Sequence, residues 1–254
     1  ELTVGCVTDS ELVGRLLDGV DGVVHLAAIA SVPLCQEQPE RAHRVNQSAF
    51  VGLLDRVRRL SRRPAVVYAS SAAVYGDTGE ADAIDEGFPT RPISNYGADK
   101  LGMELQAGAV AASFGVASTG LRFFNVYGPG QDPRSPYSGV ISRFLSDLTS
   151  GRGVTVFGDG RQVRDFVHVD DVVDGVVRAL DRRGEGAAVL NLCTDTETTI
   201  VELAEVLGRL TGNATPPAFA PARAGDIRRS RGRYAQAAGT LGFQPSVTLE
   251  EGLK

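Results

Sequence analysis

Lysine is nearly missing from this chain. Of its 26 basic residues only two, Lys100 and Lys254, are lysine. Lys254 is the last residue, so Lys100 is the only lysine inside the sequence. Where a cation need only face water, this chain uses arginine; at position 100 it uses a compact ammonium on a flexible stem, not a planar fork. Cysteine is also scarce. Cys6, Cys35 and Cys193 are odd in number and widely spaced, which excludes a disulfide framework or cysteine metal cluster and fits a reduced, cytoplasmic protein. His25, His43 and His168 have no ligand-like spacing, so no metal is expected. No apolar run reaches membrane-spanning length and no signal-peptide pattern opens the chain, which argues against a membrane partner. A net charge of −5 and the lack of a basic, aromatic-interleaved stripe argue against nucleic acid. The cluster Arg56-Val57-Arg58-Arg59 reads as the solvated end of a helix.

Lys100 follows Tyr96 by one helical turn in Tyr96-Gly97-Ala98-Asp99-Lys100. Positions i and i+4 share a helix face. An ammonium there would favour the phenolate and lower the tyrosine pKa from about 10 toward neutrality, making a general base. Alone, such a pair is as readily a chance pair on a solvated helix face.

With 254 residues, 43% of them hydrophobic, the chain can bury a sizeable core. Apolar runs alternate with helical patterns, the mark of an α/β protein with a parallel sheet and crossover helices. Strands are expected over residues 20–28, 65–71 and 120–126, and helices over 39–61 and 94–114. After about residue 128 the texture shifts to short strands (154–157, 166–169) and helices (170–183, 199–211), which read as a smaller lobe. Polar residues at strand carboxyl ends mark where ligands bind in such sheets. The chain opens in the strand-like run Glu1-Leu2-Thr3-Val4 and closes in what reads as a helix's opening turn, so further segments are expected at both ends.

Three strand ends and one helix point at one place, carrying Ser71, Tyr96 with Lys100, and Asn125. The motifs run in order: Asp21-Gly22-Val23-Val24-His25-Leu26-Ala27-Ala28, Asn46, Ser70-Ser71-Ala72-Ala73-Val74-Tyr75-Gly76, the Tyr96–Lys100 pair, and Arg122-Phe123-Phe124-Asn125-Val126-Tyr127-Gly128-Pro129. Then come Phe157-Gly158-Asp159-Gly160, Arg164-Asp165-Phe166-Val167-His168-Val169-Asp170-Asp171 and Arg223-Ala224-Gly225-Asp226. In this set and order the chain resembles the extended short-chain dehydrogenase/reductases, specifically the NAD-dependent nucleotide-sugar epimerases of the UDP-glucose/UDP-galactose 4-epimerase type.

The resemblance implies a Rossmann-like doubly wound parallel sheet over residues 1–128 and a smaller α/β substrate-binding lobe over 129–254, with segments returning to the first domain. It makes Tyr96 the base that takes the sugar 4-hydroxyl proton. Lys100 then holds the nicotinamide ribose and depresses the Tyr96 pKa, and Ser71 hydrogen-bonds the same sugar oxygen. NAD would be lined by Cys6, Val7, Leu26, Ala27, Ala28, Asn46, Ala69, Ser70, Tyr96, Lys100 and Phe123. The UDP-sugar would be bound by Ser71, Asn125, Arg164, Arg223, Asp226 and Ser230, the arginines suiting the diphosphate. The family also implies a homodimer, paired through the Tyr-Lys helix and its neighbour.

The chain departs from the family where a Gly-rich βαβ unit should cradle the NAD pyrophosphate; that unit is absent from the given sequence. Cys6 stands where the family commonly has Asp beside the adenine. Ser71-Ala72-Ala73 offers no carboxylate, which weakens dehydratase and decarboxylase readings. Ser230 stands at the position that lines the sugar's 2-substituent, where a bulky aromatic would exclude an N-acetyl group. The Gln131-Asp132-Pro133 and Ser135-Pro136-Tyr137-Ser138-Gly139 loop is similar to that of epimerases accepting N-acetylated sugars. Two rivals stay open: another nucleotide-sugar reductase or dehydrogenase on this scaffold, and a non-catalytic nucleotide-sugar-binding relic.

Overall fold

The computed structural model describes residues 1–254 apart from 80, 136, 137, 183, 185 and 224. The loop residues Pro136 and Tyr137 and the motif residue Ala224 therefore lie outside the described residues. In chain order the elements begin α1 (Ser10–Leu16), β1 (Gly22–His25), α2 (Val32–Glu37), α3 (Pro39–His43), a π-helical turn (Arg44–Ser48), α4 (Ala49–Val57) and β2 (Ala65–Ser71). A 3-10 turn (Ala72–Val74), α5 (Asn95–Phe114), β3 (Ser118–Phe123), β4 (Asn125–Tyr127), α6 (Val140–Thr149), β5 (Thr155–Phe157), β6 (Val163–Arg164), β7 (Phe166–His168) and α7 (Val169–Asp181) follow. The chain continues through β8 (Ala187–Leu192), β9 (Thr198–Thr199), α8 (Ile200–Thr211), β10 (Ala218–Ala220), β11 (Arg229–Ser230), α9 (Ala235–Leu241) and α10 (Leu249–Gly252).

These divide into two compact units. The first comprises residues 1–76, 89–122 and 176–190, and the second comprises 77–88, 123–175 and 191–254. The first is built on the sheet β1-β2-β3-β8. Its β1 and β2 run parallel in the register Gly22–Ala65 to His25–Tyr68. Helix α4 shows why it packs there: Phe50, Leu53, Leu54 and Val57 recur at helical spacing and all are buried. They join Val66, Tyr68, Met103, Ala107 and Val116 in one core cluster. Each such side chain contributes roughly 1.5–3 kcal/mol on burial. The second unit has its own core, in which Phe144 and Leu148 of α6 meet Leu203 and Leu207 of α8 over Val156 and Phe166.

The expected α/β architecture is what is observed, with differences at particular elements. Residues 39–61 do not form one helix. A π turn interrupts them and α4 ends at Val57; within the π turn, Asn46 bonds the Ile29 backbone beyond β1. The strand over 120–126 breaks at Phe124, whose N–H goes to the Leu192 carbonyl. Past that point β4 leaves the first sheet and pairs in parallel with β7. Residues 1–4 form no strand, and Leu2 and Val4 are exposed.

Candidate active site

Helix α5 delivers the reactive pair. Ser94 caps it, its side chain accepting from the Gly97 N–H at 3.1 Å. Gly115, at φ 66°, closes the far end. Gly97 is required for a steric reason: a Cβ there would stand 2.5 Å from the Ala73 carbonyl oxygen. The first turn of α5 thus lies against the 3-10 turn after β2, and this close approach brings Tyr96 to Ser71.

Ser71 ends β2 and does two jobs. Its hydroxyl accepts from the Ala73 N–H at 3.1 Å, capping the 3-10 turn, and it is near enough to the Tyr96 phenol to favour the phenolate. Lys100 is 1% exposed. Its Nζ donates to the Ala69 carbonyl at 2.7 Å and lies 5.8 Å from the centre of the Tyr96 ring.

The electrostatics correct one expectation. Burial pushes the Tyr96 phenol up from its ordinary value, with the neighbouring Ser71 hydroxyl pulling the other way. Burial outweighs the pull toward the phenolate, and the Lys100 ammonium donates to the Ala69 carbonyl. Burial also lowers Lys100 itself, to about 8, against an upward pull from Asp99 and Cys35. Next to it, burial and the Lys100 charge hold His25 down at about 4, so His25 is neutral at pH 7.

The remaining unit-one residues fall into two groups. Leu26, Ala27 and Ala28 follow β1 with Leu26 and Ala27 exposed and Ala28 half-buried, a small, open shelf at a strand end. Asn46 is fully buried. Its Oδ1 accepts from the Ile29 N–H at 2.7 Å and its Nδ2 donates to the Ile29 carbonyl at 3.1 Å, so it shapes that shelf. Ile29, Cys35 and Ala42 form a small cluster against which Tyr96 packs. Ser70 points to the opposite face from Ser71 and donates to the Glu104 carboxylate. Cys6 is exposed and bonded to Thr8 at 3.1 Å, with Val7 beside it.

The second unit gathers Arg164, Asp226, Arg223 and Ser230. Arg164 donates to Asp226 Oδ1 at 2.6 Å and to the Val163 and Ile227 carbonyls at 2.8 Å each. Ser230 sits in register beside Arg164 across β11 and β6. The Arg223 guanidinium lies 3.7 Å from the centre of the Phe157 ring. Asn125 starts β4 with its N–H bonded to the Asp165 carbonyl at 3.0 Å, and Phe123, the last residue of β3, is half-buried.

Sequence reasoning missed three features. Gln162 bridges the Phe157 carbonyl and Asp226. Asp165 is fully buried, pushed up to about 6 by burial while accepting from Thr194 and Gly232. Glu104 pairs with Arg122 at 2.7 Å in the interior; its place two turns after Tyr96 on one helix face was the available signal. Among the described residues no group of His, Cys, Asp and Glu could hold a metal ion, and no helix is long and apolar enough to cross a membrane.

The strand-end residues of the first unit suit the nicotinamide-ribose end of a dinucleotide. The strand-end shelf is open and small, and among the described residues Lys100 shows one acceptor for its three N–H groups, leaving donors for a ribose.

The family model of the NAD dependent epimerase/dehydratase family matches residues 1–193. A UDP-glucose 4-epimerase of Mycolicibacterium smegmatis is 37% identical over 97% of this chain and 78% of its own length. The crystal structure of a UDP-glucose 4-epimerase from Thermotoga maritima with UDP-glucose superposes with a TM-score of 0.93 at 35% identity, covering 98% of this chain and 81% of that one. A UDP-N-acetylglucosamine 4-epimerase from Methanobrevibacter ruminantium, in complex with UDP-N-acetylmuramic acid, gives 0.92 at 30% identity over 98% and 79%. With the tyrosine, lysine and serine arranged as above, the chain belongs to the NAD dependent epimerase/dehydratase family, as an extended short-chain dehydrogenase/reductase of the nucleotide-sugar epimerase type that uses NAD.

Proposed function

We propose that this protein inverts C4 of a UDP-hexose, interconverting UDP-glucose and UDP-galactose. The observation that carries the reading is Ser71 next to the Tyr96 phenol with the buried Lys100 5.8 Å from that ring, and alanines at 72 and 73 in place of any carboxylate. Such a site can take a proton from a hydroxyl but has no acid–base pair for elimination.

Tyr96 accepts the 4-hydroxyl proton while Ser71 holds the same oxygen. Its phenol starts protonated because burial raises it, so its ionisation depends on positive charge brought close; Lys100, charged below about pH 8, supplies part. NAD, when bound, supplies the acceptor and later donor of the C4 hydride. Loss of both hydrogens leaves a 4-keto sugar, and hydride return to its other face with the proton from Tyr96 gives the epimer.

In this reading the first unit, with Leu26, Ala27, Ala28, Ala69, Tyr96 and Lys100, holds NAD, Phe123 of the second unit also contacts it, Asn46 shapes the site from within, Cys6 and Val7 lie at its edge, and Ser70, buried and bonded to Glu104, does not reach the cofactor. The second unit binds the sugar nucleotide. Arg164 and Arg223 take the diphosphate, Asp226 the ribose, and Asn125 and Ser230 face the sugar. The small Ser230 leaves room for an N-acetyl group, so UDP-N-acetylglucosamine is a substrate as well. Helix α5 leaves Leu105 66% exposed among the exposed small residues Ala98, Gly108, Ala109 and Ala112, which supports a homodimer paired through that helix.

The test is to release nicotinamide nucleotide from the denatured protein, then follow UDP-galactose by proton NMR. Bound NAD with conversion to UDP-glucose and no net reduction of NAD is expected. Net NADH formation would make the protein a dehydrogenase instead.

A further inference from the structure

The buried pair Glu104–Arg122 touches neither of the two reactive hydroxyls, yet it is tied to the chain on both sides of one of them. On α5, Tyr96, Lys100 and Glu104 follow each other at i, i+4 and i+8, so one helix face carries all three. On β2, successive side chains point to opposite faces. Ser71 therefore meets Tyr96, while Ser70 donates to Glu104 Oε1. The other bonds of this carboxylate come from Arg122, with Nε to Oε1 at 2.9 Å and Nη2 to Oε2 at 2.7 Å. The third arm of Arg122, Nη1, donates to the Tyr75 hydroxyl at 2.7 Å, and its guanidinium lies 4.7 Å from the centre of that ring. Tyr75 is the residue that follows the 3-10 turn capped by Ser71. The turn is thus held by Ser70 before it and Tyr75 after it, both through one ion pair.

Burial rules out direct contact with substrate. Glu104 is 8% exposed, Arg122 5%, and Ser70 and Tyr75 1% each. Stability alone does not account for the pair either, since replacing a buried ion pair by well-packed apolar residues is often neutral or stabilising. What an apolar core cannot supply is a bidentate fork of fixed geometry.

We propose that Glu104 and Arg122 are positioning residues that set the Ser71 hydroxyl against Tyr96, with Ser70 and Tyr75 as the two tethers. The inference rests on the reading of Ser71 and Tyr96 as the groups that handle the sugar hydroxyl.

The experiment uses Tyr75→Phe and Ser70→Ala in the NAD-loaded full chain. Each keeps the ion pair and removes one tether, so both are expected to fold; Arg122→Lys, which keeps the charge and loses the fork, is the third variant. For folded variants, kcat on UDP-galactose should fall about tenfold to a hundredfold, the cost of a misplaced reacting group. KM and bound NAD should stay within about twofold of wild type, and Arg122→Lys should lose rate to a similar extent although it keeps the charge. A second readout needs no turnover: the Tyr96 tyrosinate titration, taken as wild type minus Tyr96→Phe, should shift to higher pH in Tyr75→Phe because Ser71 no longer holds the phenol squarely. Unchanged kcat with an unshifted titration overturns the inference, as does a rate loss that merely follows loss of NAD or a lower melting temperature. An inactive wild type would overturn the epimerase reading, and the titration would then decide the positioning question by itself.

Discussion

Gly97 and the Ala73 carbonyl oxygen are packed so closely that a single added carbon at residue 97 would stand 2.5 Å from that oxygen. This contact sets the distance between the helix that carries Tyr96 and the turn that carries Ser71. Gly97→Ala should therefore separate the two hydroxyls. Overpacking of this kind costs about 1–3 kcal/mol, a modest loss of melting temperature, whereas kcat should drop by more than the stability change explains. Calorimetry and steady-state kinetics on one preparation check it.

Tyr96→Phe should lower kcat by about 10²- to 10⁴-fold while NAD stays bound. Lys100 gives the pH dependence. Burial lowers it to about 8, so its ammonium is intact below that pH and lost as pH rises through it. The rate should fall on the alkaline side around pH 8. A flat profile to well above that pH would show that the Lys100 charge is not used.

His25 controls acid stability. Its folded value of about 4 lies below the ordinary 6.5, so between these the unfolded chain binds the extra proton. Stability is full above pH 6.5 and is lost as pH falls toward 4, by on the order of 3 kcal/mol. Asp165, raised to about 6 from 3.8, works in the opposite direction, because there the folded chain holds the extra proton. Urea melts of wild type and His25→Gln across this range should show a smaller acid-side loss in the variant.

Asn46→Ala removes both side-chain bonds to the Ile29 backbone and leaves those groups unpaired in the interior. The expected cost is about 1–3 kcal/mol, with weaker NAD binding because the shelf after β1 loses its brace. Equilibrium dialysis of NAD against the variant measures this directly.

Ser230→Tyr should abolish activity on the N-acetylated sugars and spare UDP-glucose and UDP-galactose. Equal loss on both pairs, in parallel assays, would remove the size argument.

The strands, the long helix capped by Ser94 and the Tyr96–Lys100 pair were legible in the sequence because each rests on local spacing and local chemistry. The π turn at Arg44–Ser48 was not, since it comes with bonds from Asn46 to the Ile29 backbone, 17 residues away, that local spacing does not show. Nor was the break at Phe124, which depends on partners in β7 and on the Leu192 carbonyl. The sign of the Tyr96 shift failed for a related reason: the sequence shows the neighbouring charge but not the desolvation, and desolvation is larger. Glu104 was visible as a helix-face neighbour of Lys100, but the tie to Ser70 required β2 to be in place.

The most direct test of the central claim follows deuterium placed at sugar C4 of UDP-galactose, with no NAD added. Retention at C4 in the UDP-glucose product is expected, since the hydride leaves and returns within one site. Exchange of that deuterium with solvent, or no conversion at all, would contradict C4 epimerisation through bound NAD.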